Sequence, residues 1–211
     1  MITVTLNRTE FEYDIHSLVK AFYPKEEVYV STKDKEKKEE PVHYHMDVQF
    51  APEEIIFSWK RVEASEDNAN QTGITKCVAV DYTNRKETKN SLKRTLYRLL
   101  SEYTGVELPW GNLTGIRPTK IPMALLEEGK SEEEIARYMK ETYFTSDEKI
   151  KLSIEIAERE LELLHKLDYE EGYSLYIGIP FCPTTCLYCS FTSYSMSAWK
   201  NRMDDYLSTL E

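Results

Sequence analysis

The chain is poor in sulfur and histidine and has no long apolar run. Its four cysteines in 211 residues are too sparse for the disulfide framework of a small secreted domain. Met1 opens directly into the strand-like ITVTL, with neither the basic start nor the apolar core of a secretory leader. No run approaches the roughly 20 apolar residues that a membrane span needs, so no membrane partner is expected. Basic charge is also short. The balance of 27 Lys and Arg against 37 Asp and Glu gives −10, the wrong sign for a general polyanion binder, because phosphate contacts draw on surplus Lys and Arg. Nucleic acid is therefore not an expected partner. What remains, 41% hydrophobic and 30% charged, fits a soluble globular protein, and reduced thiols fit a cytoplasmic location.

Three of the four cysteines stand together. Cys182, Cys186 and Cys189 follow the spacing C-x-x-x-C-x-x-C, with the aromatic Tyr188 just before the last. Three thiolates this close in sequence can wrap three corners of a cubane cluster, and a fourth iron without a local ligand keeps a coordination position for a substrate or cosubstrate. A structural zinc site is the competing reading. It wants four ligands, usually as two spaced pairs, yet no His or Cys follows Cys189 and the nearest upstream candidate is His165. Cys77 lies on the alternating TKCVAVDY and reads as a small buried hydrophobe without a role.

Ahead of the cysteines, the pattern predicts an α+β domain over residues 1–83. ITVTL is a strand, and Phe11, Ile15, Leu18, Val19 and Phe22 recur at helical spacing up to Pro24. Further strands are expected at Val28–Val30, Val42–Phe50, Glu54–Val62 and Ile74–Tyr82, with a solvated charge run at Ser31–Glu40 and a polar loop at Ala64–Thr72. His43 and His45 project to one face of their strand. With no carboxylate or thiol partner identifiable for them, an ordinary polar sheet face is preferred to a metal site.

Residues 84–170 read as a helical linker. Leu92, Leu96, Leu99 and Leu100 form a stripe ending near Gly105, opposite Arg85, Lys86, Lys89, Lys93, Arg94 and Arg98, a pattern that predicts a charged solvent face. Pro109, Gly111, Gly115 and Pro118 punctuate LPWGNLTGIRPTK before a short helix that Gly129 can cap. Arg117 and Lys120 there could bind a carboxylate, or Arg117 could bond loop carbonyls. Ser131 with Glu134 is a capping box, and Ser146 starts a longer helix carrying Ile150, Ile154, Ala157, Leu161 and Leu164. From Gly172 the pattern breaks. Leu175–Ile179 reads as a strand buried on both faces, and Ser197 as the cap of a last helix carrying Trp199, Met203, Tyr206, Leu207 and Leu210. Strand, cysteine loop and helix make one βα unit over residues 171–211, with its chemistry at the strand's carboxyl end.

At these residues the chain resembles the radical S-adenosylmethionine enzymes. More narrowly, YIGIPFCPTTCLYCSF, Tyr176 to Phe191, is similar to the oxygen-independent coproporphyrinogen III oxidase group. LTGIRPTK, Leu113 to Lys120, with an α+β domain ahead of it, looks like the Z-type branch of coproporphyrinogen dehydrogenases. The resemblance implies an α/β radical SAM barrel of which only the first βα unit is present. It implies that Cys182, Cys186 and Cys189 hold a 4Fe-4S cluster whose open iron is chelated by S-adenosyl-L-methionine. Tyr176 would lie near that cosubstrate and Tyr188 beside the cluster. One-electron cleavage of the sulfonium would yield a 5′-deoxyadenosyl radical and start oxidative decarboxylation of two propionates of a porphyrinogen to vinyls. An electron donor such as flavodoxin or ferredoxin is implied as well. Two departures stand out. Phe191 occupies the position of a fourth cysteine found in the bona fide decarboxylases, as in related haem chaperones, which would bind a haem-like tetrapyrrole without decarboxylation. Only 22 residues, Ser190 to Glu211, follow the last cysteine, whereas the remainder of a barrel takes roughly 150 to 200 more. The expectation is the N-terminal portion of a longer enzyme, inactive by itself.

Overall fold

In the computed structural model, which describes residues 1–32, 41–62, 73–115, 117–168 and 171–210, alternating side chains build the first layer. β1 (Ile2–Leu6) turns Ile2, Val4 and Leu6 inward, and every second residue of β3 (Tyr44–Phe50) and β4 (Glu54–Arg61) does the same. These strands join β2 (Val28–Thr32) and β5 (Gly73–Ala79) in one sheet of order β2-β1-β3-β4-β5. β1 runs parallel to both its neighbours, and β3, β4 and β5 pair antiparallel. The fold of this region is thus mixed α/β around a mixed five-stranded sheet. Of the charge run expected at Ser31–Glu40, Ser31 and Thr32 instead extend β2, and residues 33–40, like the polar loop expected over 64–72, lie outside the described residues.

Two helices contribute apolar faces to the core of that sheet. α1 (Glu12–Phe22) buries Ile15, Leu18, Val19 and Phe22, and α2 (Arg85–Thr104) buries Leu92, Leu96, Leu99 and Leu100 in the same core as Ile2, Phe57 and Trp59. α2 begins where Asn84 Oδ1 accepts the Glu87 N–H at 3.1 Å, and ends where Gly105, at φ 70°, donates its N–H to Ser101 O at 2.8 Å. The charged face of α2 departs from expectation at one position: Lys93 is only 7% exposed. Its stem points inward, and its Nζ donates to Thr114 Oγ1 at 3.1 Å. Cys77 departs in the opposite sense. It sits on the outward face of the edge strand β5 and is exposed, because the inward positions of that strand are Ile74, Lys76 and Val78.

A second apolar cluster joins α4 (Glu132–Tyr143) and α5 (Asp147–Leu164) through Ile135, Met139, Ile150 and Ile154, with Ile121, Leu125 and Leu126 of α3 (Lys120–Glu127) half-buried against it. Ser131 and Glu134 form the expected capping box. The Pro–Trp–Gly–Asn stretch is fixed against the α4–α5 junction: Asn112 N–H donates to Tyr143 O at 2.8 Å, Asn112 Nδ2 to Thr142 O at 3.2 Å, and Ser146 N–H to Pro109 O at 3.0 Å. Gly111 is required there twice over. It adopts φ 56°, and a Cβ would stand 1.9 Å from Tyr143 O.

Backbone proximity divides the chain into two units, 1–166 and 167–211. The second has sparse regular structure. β6 (Phe181–Cys182) pairs parallel with β7 (Tyr194–Ser195), followed by α6 (Met196–Trp199), a 3-10 turn at Lys200–Arg202 and α7 (Met203–Leu210). The strand expected at Leu175–Ile179 does not form, and Leu175, Tyr176, Ile177 and Ile179 are between 58 and 85% exposed. A strand needs a neighbour to accept its ladder, and no described residue pairs with this segment. The expected first βα unit of a barrel is accordingly not built here. The helix is also split. α6 starts at Met196, and Ser197 Oγ bonds Ser195 Oγ at 2.7 Å instead of capping a single long helix. Among the described residues no helix is long and apolar enough to cross a membrane.

Candidate functional site

The cysteine loop hangs on a short aromatic anchor. Phe181 packs edge-on to Tyr206 at 5.3 Å between ring centres and lies 6.2 Å from Trp199, which meets Tyr194 at 5.2 Å. Tyr206 Oη donates to Gly178 O at 2.6 Å, and the Tyr194 N–H to Pro180 O at 2.7 Å. These contacts bring the two ends of the loop together, so Cys182 lies opposite Ser195 in the two-residue ladder. Within the loop, Cys189 N–H donates to Cys186 O at 3.0 Å, closing a turn that holds the second and third cysteines on one bend. Cys189 Sγ approaches Phe191 O at 4.0 Å.

All three cysteines are free thiols, Cys186 exposed and the other two half-buried. They share a loop without converging: no group of three or more His, Cys, Asp or Glu among the described residues is placed to hold a metal ion. The donor set fits a thiolate-bound iron–sulfur group in kind and spacing, and the Cys186–Cys189 turn suits two adjacent ligands. Bringing the sulfurs into one coordination sphere requires the loop to rearrange. Tyr176 and Tyr188 are 85% and 91% exposed, so neither packs against a cofactor-sized enclosure in this conformation.

The LTGIRPTK segment, of which Ile116 lies outside the described residues, carries polar contacts that the sequence left open. Arg117 bonds side chains where loop carbonyls were expected: its Nε donates to Thr119 Oγ1 at 3.1 Å and its guanidinium pairs with the Glu160 carboxylate on α5. Thr114 receives Lys93. Burial pushes the Lys93 ammonium down from its ordinary 10.5 to about 8; Asp14 opposes the shift, and the Lys89 charge adds to it. Lys89 itself pairs with Asp14 at 2.8 Å. Reading α2 by charge alone missed Lys93. The signal was its place next to Leu92 and three residues before Leu96, on the flank of the apolar stripe.

A cleft of about 880 Å³ in the first unit lies between the carboxyl half of α2 and the start of α5. Its rim is laced by ion pairs, Lys76 with Glu102 at 2.5 Å and Lys140 with Asp147 at 2.7 Å.

No protein-family model matches the chain. Over 137 residues it is 39% identical to the oxygen-independent coproporphyrinogen-III oxidase-like protein HemZ of Bacillus subtilis (strain 168). The match takes in 63% of this chain and 27% of that protein, so the chain spans only about a quarter of the length of the curated relative.

Proposed function

We propose that this chain is the N-terminal portion of a radical SAM oxidoreductase of porphyrin and haem biosynthesis, one that acts on coproporphyrinogen III in the cytoplasm. The observation that carries the reading is the set of three free thiols, Cys182, Cys186 and Cys189, at a spacing suited to a 4Fe-4S cluster with one open iron. The similarity to a coproporphyrinogen-III oxidase-like protein supports the substrate class. The three thiolates would hold the cluster, and S-adenosyl-L-methionine would take the open position, with Tyr176 beside it and Tyr188 against the cluster. When bound, this pair supplies one-electron chemistry directed at the propionates of the porphyrinogen. The chain's own part would be to present three sulfurs to the iron as thiolates and to fix the loop ends through Phe181, Tyr194 and Tyr206. A flavodoxin or ferredoxin would deliver the electron.

A second reading is favoured by one residue. Phe191 stands two positions after Cys189, where a fourth cysteine marks the decarboxylases that the motif resembles. A haem chaperone would use the same thiols and bind haem without forming vinyls.

The test is anaerobic reconstitution of the full-length parent with iron and sulfide. The intact protein should take up about four iron atoms, and Cys186→Ala should lose the cluster. Full iron incorporation by Cys186→Ala overturns the site. Vinyl product from coproporphyrinogen III supports the oxidase; stable haem binding with no vinyl product supports the chaperone.

A further inference from the structure

The cleft at the start of α5 forms where three pieces of the first unit meet. Its walls come from the carboxyl half of α2, the 107–109 segment and the α4–α5 turn, and Ser146 N–H, donating to Pro109 O at 3.0 Å, pins the last two together. Tyr97 and Phe144 stack there with 5.2 Å between ring centres and 27° between planes, and the Arg98 guanidinium stands 5.0 Å over the Phe144 ring. Leu108 and Pro109 add apolar surface. At about 880 Å³, the cleft has room for a small organic ligand.

Several polar groups of the cleft are short of a partner. α5 makes its first intrahelical bond from Ile150 N–H to Ser146 O at 2.9 Å, and Ser146 Oγ takes the Lys149 N–H. The N–H groups of Asp147 and Glu148 are left at the positive end of an 18-residue helix without an intrahelical acceptor. Just ahead of them, Thr145 lines the cleft and is 2% exposed, yet its Oγ1 has no hydrogen-bond partner among the described residues. Buried hydroxyls are nearly always bonded. Arg98 contacts the Phe144 ring and pairs with no described carboxylate. Most acids of the rim are already matched: Asp147 by Lys140 at 2.7 Å, Glu148 by Lys149 at 3.1 Å and Glu102 by Lys76 at 2.5 Å. Glu107, which also lines the cleft, has no such cation among the described residues. One unpaired guanidinium beside one unpaired carboxylate suits a ligand with a single negative charge. A tetrapyrrole bearing four propionates does not match it.

We propose that this cleft binds a small monocarboxylate with a flat apolar body, its carboxylate held by the amino end of α5, the Thr145 hydroxyl and Arg98, and its body against Phe144, Leu108 and Pro109. The carboxylate oxygens accept from the backbone N–H groups, and a charged acceptor makes the stronger bond. Phe144 stands two residues before the Ser146 cap, so a guanidinium over its ring is close to the helix start. Held against that ring, Arg98 gives up little side-chain freedom on binding. The site lies within residues 1–166 and uses no cysteine, so its failure would leave the cluster reading untouched.

The test is calorimetric titration of the full chain, under reducing conditions, with 3-phenylpropionate and with 3-phenylpropanol, which keeps the ring and drops the charge. One equivalent of the acid should bind with a Kd below about 1 mM, and the alcohol at least about tenfold more weakly. Arg98→Gln and Thr145→Val should each weaken binding of the acid about tenfold. Thr145→Val keeps the shape and removes a hydroxyl that has no partner, so urea unfolding should show no loss of stability. Lys151→Gln removes an exposed charge of α5 that does not line the cleft and should change the affinity less than about twofold. No saturable binding up to about 10 mM, equal affinity for acid and alcohol, or a loss in either cleft variant no greater than that in Lys151→Gln overturns the proposal.

Discussion

Lys93 offers the sharpest test of the packing between α2 and the loop after it. Replacing it by Met keeps the apolar stem and removes the charge. The residue is 7% exposed and burial lowers its pKa from 10.5 to about 8, a change worth about 3 kcal/mol at 1.36 kcal/mol per decade and about 2 kcal/mol after solvent screening. A lysine whose folded pKa is depressed binds its proton less tightly in the native state than in the unfolded chain. Between pH 8 and 10.5 the unfolded chain therefore holds more protons at this site, and stability rises with pH. Below about 8 both states are protonated and the contribution is flat. Lys93→Met lacks this rise. At pH 7 it should be about 1 kcal/mol more stable than the parent, since relief of the buried charge exceeds the loss of the bond to Thr114. By pH 10 the parent should gain about 2 kcal/mol on the variant. Urea unfolding of both proteins under reducing conditions at pH 7, 8, 9 and 10 measures this, because tyrosine and thiol titrations common to both cancel in the difference. A difference that stays flat across that range would refute the burial of the amine.

Two further substitutions probe the helical region. Gly111→Ala meets both a left-handed backbone and a carbonyl 1.9 Å from the new Cβ, so unfolding by heat or urea should show a loss of about 3 kcal/mol or more; a loss under 1 kcal/mol contradicts the close approach to Tyr143. Ser131→Ala removes the hydroxyl that accepts the Glu134 N–H at 3.3 Å and should cost about 1 kcal/mol in the same assay, with Ser131→Asp recovering most of it.

The first unit was legible because each of its elements carries a local signal that its partners also demand. The alternation of Ile2, Val4 and Leu6 and the spacing of Leu92, Leu96, Leu99 and Leu100 mark faces that lie in one core. Asn84, Gly105, Ser131 and Ser146 stop or start helices where their side chains or φ values act. What stayed hidden is non-local. Glu26, 17 residues before His43, reaches it only because β2 and β3 flank β1 in parallel, an order that periodicity does not encode. Thr114, 21 residues beyond Lys93, is likewise invisible from α2 alone. Cys77 was misjudged because an alternating strand gives two faces without saying which one is covered, and at the edge of the sheet the thiol took the outer one.

The cysteine loop fails the same criterion from the other side. Its motif is specific, yet Leu175–Ile179 has a strong strand signal and no described strand to pair with, so sequence preference alone leaves it irregular and exposed. The loop between Cys182 and Tyr194 is closed by a two-residue ladder, one aromatic cluster and two backbone-directed bonds, too few contacts to set three sulfur positions against the entropy of ordering a dozen residues. On the proposed reading, a thiolate-bound cluster would have to supply that order itself. Part of its binding free energy would go into organising the loop, which would make cluster occupancy and local folding a single equilibrium. Amide exchange at residues 182–194 should therefore slow on cluster assembly in the full-length protein, while exchange in β1, β3 and β4, already buried in a complete core, should not change.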